Sequence, residues 1–464
     1  MEKTINPNIF KAYDIRGVYP EEINEEAAYK IGQASVEFFN AKKIMVARDI
    51  RLSSKPLSDA LINGIISQGA DVIDIGLAST PYFYYSLAVS PEADAGFMIT
   101  ASHMSKEFNG MKPMFKKSVP FTKEQILEFK KDVLEKDFIE NVEKGKIELK
   151  DLTEKYIREI KNFIKAPFKP LKVVVDSGNG MAGLYFDKIF TDSNIEIIPL
   201  FMEPDGTFPN HTANPRVAEN RQYGIEKMKE VDADLGIFFD GDADRFSAVN
   251  RNGELIDPSL LIAIISEYLI KGSSRNGIAV EVKTSRVVKD LVKKLGGKLT
   301  VLPHWTIPLK LEMRRDKNII FGGETSGHLM LADFYSVDDG ILGFLIFLQA
   351  LSVREETLEQ IIDKFKSKYF TIEETNFPLA SRDKIISISA ELEEKYKKVG
   401  AKISKIDGLA VEFPDWWFTL IISESAPVMR LNLEANSKEL LEEKNKELVD
   451  YLSQFAVEPE RAVE

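Results

Sequence analysis

The chain has 464 residues, 44% hydrophobic and 29% charged, an ordinary globular composition that excludes a disordered chain. It contains no cysteine, which excludes a disulfide framework, a thiolate zinc site and a cysteine nucleophile. Its 73 acidic and 61 basic residues leave a net charge of −12, which argues against nucleic acid as a partner, because phosphate backbones need a basic face.

At roughly 150 residues per domain, the length predicts three or four domains. The opening MEKTINPNIF has no basic segment leading into an apolar run, so no secretory signal is expected. In chain order, a β-rich run, KKIMVARDIR (42–51), is followed by ADVIDIGL (70–77) and then by AGFMITASH (95–103). The pattern returns as LKVVVDSGNG (171–180), IEIIPLF (195–201) and DLGIFFDGDADR (234–245). It returns again as NGIAVEVKTSR (276–286), GKLTVLP (297–303) and NIIFGGETSGH (318–328). Strand–helix–strand units of this kind predict parallel sheets flanked by helices, and their repetition predicts similar domains.

The fold class expected is therefore α/β: three similar α/β domains with mostly parallel sheets, plus a C-terminal α+β domain. An amphipathic helix over 152–165 ends before APFKP and closes the first domain at 1–165. The turn NRNGELIDP separates 166–253 from 254–370, and the remainder, 371–464, differs in style and carries a charged helix over 437–452. The most apolar stretch, 340–353, is shorter than the ~20 residues that span a bilayer and includes Gln349, so it predicts a buried core helix. A cytoplasmic protein with no membrane partner is expected.

Each third strand runs into a loop of polar and small residues. In open α/β sheets ligands bind beyond the carboxyl ends of the strands, so the loops predict one shared cleft. Asp240, Asp242 and Asp244 alternate in a tight turn that ends in Arg245, and hard oxygen donors converging in this way suit Mg²⁺. A solvated acidic turn is the plainer reading; its position directly after a buried-type strand weighs against that. Ser102 beside His103, in Thr100-Ala101-Ser102-His103, suits a nucleophile or phosphate carrier. Next to a Mg²⁺ loop, phosphoryl transfer is the economical chemistry, since it needs cations on the transferring oxygens more than a strong base. The third loop is 322–328, where Glu324 and Ser326 can bond sugar hydroxyls; His328 ends it.

These loops, together with FKAYDIRG (10–17), ARDIRLSS (47–54), VVVDSGNGMAG (173–183), PDGTFPNH (204–211) and VKTSR (282–286), resemble the α-D-phosphohexomutase family. The resemblance covers nearly the whole chain and is nearest to the phosphomannomutase/phosphoglucomutase branch. It implies four domains around a central cleft, the first three related. It also implies that Ser102 carries the phosphoryl group and that Asp240, Asp242 and Asp244, with the phosphoserine oxygen, hold one Mg²⁺ per active site. Arg245 then supports that phosphate. Tyr13, Arg16, His103, Lys112 and Lys283 match the reaction centre, with His103 and Lys283 as candidates for proton transfer. Glu324 and Ser326 match the sugar loop, and His304, His328, Ser423, Ser425 and Arg430 are further expected substrate contacts.

The implied reaction interconverts hexose 1-phosphate and hexose 6-phosphate, of glucose or mannose, through a 1,6-bisphosphosugar that also serves as activator. The expected partner is a small-molecule phosphosugar, and the expected assembly a monomer or small homo-oligomer.

The chain departs from the family at a phosphate clamp resembling RPSNTEP, which here reads Ile421-Ile422-Ser423-Glu424-Ser425-Ala426-Pro427 with Arg430 beyond. Losing a bidentate Arg–phosphate contact costs about 1.5–3 kcal/mol, or roughly 10–150-fold in affinity. The serine loop is followed by Met104-Ser105 rather than Asn-Pro, and a Val-Gly-His segment reads Leu302-Pro303-His304 with a longer run to Met313. A second function stays open on these grounds: a weak or inactive sugar-phosphate-binding paralogue, or a mutase of a different phosphosugar.

Overall fold

The computed structural model describes residues 5–191, 193–423 and 427–457. One plan recurs in the first three sheets. Lys43–Arg48 lies between the parallel strands Asp71–Leu77 and Ala95–Ile99. Leu171–Asp176 lies likewise between Ile195–Leu200 and Leu235–Phe239, and Gly277–Glu281 between Lys298–Leu302 and Ile319–Gly323. Each third strand then turns back into an antiparallel partner: Phe108–Phe115, Phe246–Asn250 and Leu329–Leu331. The sheets are thus mixed, and the serine, acidic and sugar loops are hairpin turns held by ladder hydrogen bonds on both sides.

Strand periodicity explains how the domains join. On Lys43–Arg48, Ile44 and Val46 face a core shared with the helices Glu25–Phe38, Ser54–Ser67 and Lys123–Glu135. Met45 and Ala47 face the opposite way, into a larger core that continues through the second and third domains. The helix Gly340–Ser352, apolar on every side, is buried along its length in that larger core. Its Gln349 binds the backbone of the first connector: the amides of Lys165 and Ala166 donate to Oε1 at 2.8 and 3.0 Å, and Nε2 donates to the Ala166 carbonyl at 2.7 Å. The preceding helix accordingly spans only Thr153–Lys161, ending short of the expected 165. Among the described residues no helix is long and apolar enough to cross a membrane.

The fourth unit is an antiparallel sheet packed by the helices Arg382–Lys398 and Lys438–Ser453, with a core of its own. The divisions expected after residues 165, 253 and 370 stand as our proposed domain limits.

Candidate active site

The serine loop is built on a buried arginine. Arg51, paired to Asp49 at 3.2 Å, spends its guanidinium on backbone carbonyls of the loop: Ser102 at 2.7 Å, Met104 at 2.7 Å, Ser105 at 2.6 Å and Phe108 at 3.1 Å. This tie is the physical content of the ARDIR motif. Ser102 itself is held at φ +53°, a left-handed conformation that costs a non-glycine residue on the order of 1 kcal/mol or more. Its hydroxyl donates to Asp240 Oδ2 at 2.9 Å and lies 3.3 Å from His103 Nδ1. Burial, then the charges of Arg245, Arg16, His328 and Lys112, hold His103 well below the ordinary histidine range, so its ring is a neutral base.

Gly241 lets the acidic loop reach Ser102, since a Cβ there would stand 2.6 Å from the Ser102 carbonyl oxygen. Asp240 Oδ2 also accepts from Arg245 Nε at 3.0 Å. Asp242 Oδ2 accepts from Thr80 Oγ1 at 2.5 Å and Lys112 Nζ at 2.8 Å, and Lys112 reaches Asp244 Oδ2 at 2.6 Å. Burial and the two neighbouring carboxylates push Asp240 well above the carboxylate range; for Asp244 the burial effect is outweighed by Lys112 and His328, which bring it below. Lys112, buried but facing both aspartates, stays charged.

Oxygens of Asp240, Asp242 and Asp244 lie within 4.8 Å of one another, and Oδ1 of Asp242 and Asp244 are buried without a hydrogen-bond partner among the described residues. Unsatisfied hard donors in this arrangement fit Mg²⁺. Asp244, His328 and Asp338 form a second close group. There the two carboxylates overcome burial and raise His328 to about 9, which makes it a cation rather than a ligand.

The sugar loop is fastened to the acidic loop, with Arg245 bridged to His328 along the backbone and Gly327, at φ +103°, crossing close to the Phe246 carbonyl. Thr325 donates its N–H to Glu281 at 2.6 Å, which turns the loop so that Glu324 and Ser326 are both nearly buried. Among the described residues the Ser326 hydroxyl has no hydrogen-bond partner. Burial and the charge of Glu281 raise Glu324 above the usual carboxylate range.

Ser102, His103, Lys112, Arg245, His328 and the three aspartates therefore form one cluster, in which Ser102, Arg245 and the aspartates are buried and His103, Lys112 and His328 are half-buried. Arg16, paired to Asp14 at 2.5 Å, lies close enough to act on His103. The remaining expected residues have contacts of their own. Lys283 meets Glu374 at 3.3 Å and Glu281 at 3.9 Å, and their charges outweigh burial to keep it protonated. That favours a phosphate contact over proton acceptance. His304 donates its backbone N–H to Asp407 at 2.9 Å, Arg430 lies 3.9 Å from Glu374, and the Ser423 carbonyl accepts from Arg382 at 3.2 Å. Tyr13 meets Trp305. Ser425, with Glu424 and Ala426, lies outside the described residues.

Family models of phosphoglucomutase/phosphomannomutase alpha/beta/alpha domains I, II and III match residues 7–140, 154–253 and 257–369. The chain belongs to this family. It is 33% identical to the phosphomannomutase/phosphoglucomutase of Pseudomonas aeruginosa over 95% of this chain and 94% of that protein. To the phosphomannomutase of Escherichia coli it is 32% identical over 92% of this chain and 95% of that one. A crystal structure of a phosphoglucomutase/phosphomannomutase family protein from Burkholderia thailandensis superposes with a TM-score of 0.87 at 30% identity, covering 98% of this chain and 99% of the other.

Around the phosphohexomutase centre the structure adds residues that sequence reading did not single out: Arg51, Thr80, Lys310 and Asp338. Lys310 is almost wholly buried, 2.6 Å from Asp338 Oδ1 and stacked over Tyr84. A lysine inside the amphipathic pattern of a helix offers no sequence signal. Arg51 did offer one, in the repetition of Asp-Ile-Arg at 14–16 and 49–51.

Proposed function

We propose that this chain is a cytoplasmic phosphohexomutase that interconverts the 1- and 6-phosphates of glucose or mannose, using a phosphoserine at Ser102. The observation that carries the reading is the 2.9 Å bond from the Ser102 hydroxyl to Asp240, which makes the nucleophile and the acidic triad one cluster. Asp240, Asp242 and Asp244 would hold Mg²⁺, which supplies charge neutralisation at the transferring phosphate.

Phosphoserine 102 gives its phosphoryl group to the free 6-hydroxyl of a hexose 1-phosphate; the Ser–O–P bond breaks, the sugar O–P bond forms, and the hydroxyl proton leaves to a base. Oγ takes up a proton as it is released, and the bisphosphosugar turns in the cleft. The Ser102 hydroxyl then takes the 1-phosphoryl group back: the sugar O1–P bond breaks, the Ser–O–P bond forms again, and the sugar 1-oxygen gains the proton that Oγ gives up through the base. Neutral His103, 3.3 Å from Oγ, is suited to accept the serine proton in that second half. Arg245, with Nη2 buried and without a partner among the described residues, offers a donor to the phosphate. Lys283 and Arg430 serve as cations for the distal phosphate, while Glu324 and Ser326 bond sugar hydroxyls. A 1,6-bisphosphosugar restores phosphoserine lost to water, and the enzyme works as a monomer or small homo-oligomer.

A coupled assay with glucose 1-phosphate, Mg²⁺ and a trace of glucose 1,6-bisphosphate tests this. Glucose 6-phosphate is expected, and Ser102→Ala should lose at least about 10³-fold of the rate. Silence of the unaltered protein with both glucose and mannose 1-phosphates would overturn the reading. A second reading, a shifted phosphosugar or a weak binding paralogue, is favoured by one observation: the clamp position is Ile421, 1% exposed within a strand.

A further inference from the structure

Trp305 stands at the start of the helix Thr306–Arg315 with φ 102° and ψ 144°, a backbone conformation natural to glycine and strained for a bulky side chain. The motif register accounts for the position. Read on Leu302-Pro303-His304, the segment resembling Val-Gly-His leaves the run to Met313 about two residues too long. Moved on by that length, it falls on His304-Trp305-Thr306, and the motif's glycine coincides with the glycine-type backbone. This chain has placed an indole where the motif has no side chain.

Burial does not compensate for the strain, because the ring is 39% exposed while Trp416 and Trp417 are 5% and 8% exposed. It is instead braced from its neighbours. Tyr13, of the first domain, lies 5.8 Å away between centroids at 57°, and His304 lies 4.9 Å away at 35°. Tyr13 leads directly to Arg16, whose charge acts on His103 beside Ser102. His304 is held from the fourth domain, where Asp407 accepts from its backbone N–H at 2.9 Å and also contacts ring Nδ1. Three domains thus meet around one exposed indole.

We propose that Trp305 is a substrate-binding residue whose indole face stacks on the C–H face of the hexose ring, a role that rests on the phosphohexomutase reading above. The C–H groups on a pyranose face carry partial positive charge and match the negative face of the indole. Such a contact holds the sugar rather than the phosphate. It also accepts either presentation of a bisphosphosugar more readily than a set of directional hydrogen bonds does. It supplies grip on the sugar where Ile421 has removed a guanidinium from the phosphate end.

Trp305→Phe keeps a ring, and Trp305→Gly removes it while suiting the backbone. The KM for glucose 1-phosphate should rise about tenfold in the glycine variant and less than about threefold in the phenylalanine variant. Inhibition by inorganic phosphate should be the same in all three proteins. Trp305 is also the exposed one of the three tryptophans. Acrylamide quenching of the unaltered protein should therefore fall when glucose 1-phosphate binds, and Trp305→Phe should lose that response.

A glycine variant with unaltered KM, or quenching indifferent to glucose 1-phosphate that calorimetry shows to be bound, overturns the proposal. Binding with protection but no turnover of either glucose or mannose 1-phosphate supports the sugar contact and overturns only the mutase reading. An absence of calorimetric binding of both sugar phosphates overturns both.

Discussion

Asp339 caps the helix Gly340–Ser352, accepting from the Leu342 N–H at 2.9 Å and from the Tyr156 hydroxyl at 2.8 Å. Burial raises it to about 7, despite those two bonds. Its folded value thus lies above the ordinary 3.8, so the folded state holds a proton that the unfolded chain releases. The resulting stability is complete below pH 3.8 and is lost as pH rises through about 7. Asp339→Asn keeps the cap and cannot titrate. Across this window the unaltered protein should lose on the order of 4 kcal/mol relative to the variant. Urea unfolding of both at acidic and neutral pH checks this, and parallel pH curves would refute it. Ser102 is also decided at this scale: its left-handed backbone turns Oγ onto Asp240, and Ser102→Ala separates the chemistry from the fold.

Among the elements, the helix Gly340–Ser352 and the hairpins do different work. The helix was legible in the sequence because an apolar run too short for a bilayer has only the core left to occupy. Its Phe344 ring stacks on Phe186 and packs tilted against Phe190, at centroid distances of 5.9 and 5.5 Å, joining the second and third domains. Phe344→Ala should cost about 3–5 kcal/mol, as large-to-small changes in well-packed cores do. Denaturant midpoints measure it; a loss below about 1 kcal/mol would mean the neighbouring rings collapse into the space. The antiparallel partners of the third strands escaped sequence reading. Phe108–Phe115 contains Asn109, Lys112 and Pro113, and the polarity of that stretch hides a strand whose partner supplies its pairing. That strand carries Lys112 to the acidic loop.

At the scale of the molecule, the fourth domain keeps its own core and meets the third through a few polar ties. Arg286 donates to the carbonyls of Phe413, Pro414 and Trp416, and its backbone N–H reaches Glu434 at 3.2 Å. Lys283–Glu374 and His304–Asp407 cross the same boundary. Arg286→Ala should weaken docking by about 1–3 kcal/mol, because carbonyls arranged for a charged donor lose it. Limited proteolysis near residue 370 should quicken and the KM for phosphosugar should rise, while the first three domains keep their melting temperature. Unchanged cleavage would show that the other ties suffice.

The repeat of strand, loop and strand, the acidic triad, the serine loop and the altered clamp were all written in the order of residues, because each is a local pattern of apolar period, spacing and chemical type. What depended on tertiary structure was every relation between distant residues. The pairing of Lys112 with Asp242 and Asp244 and the seat of His304 against Asp407 leave no mark on their own neighbourhoods. Trp305 shows the division most plainly. Its spacing was odd in sequence, but only the folded backbone reveals a glycine conformation filled by an indole, because φ is set by the packing of the segments on either side. Charge separation behaves in the same way: His103 is neutral because folding buries it and sets cations beside it, and His328 is charged because the carboxylates that folding brings beside it outweigh its burial.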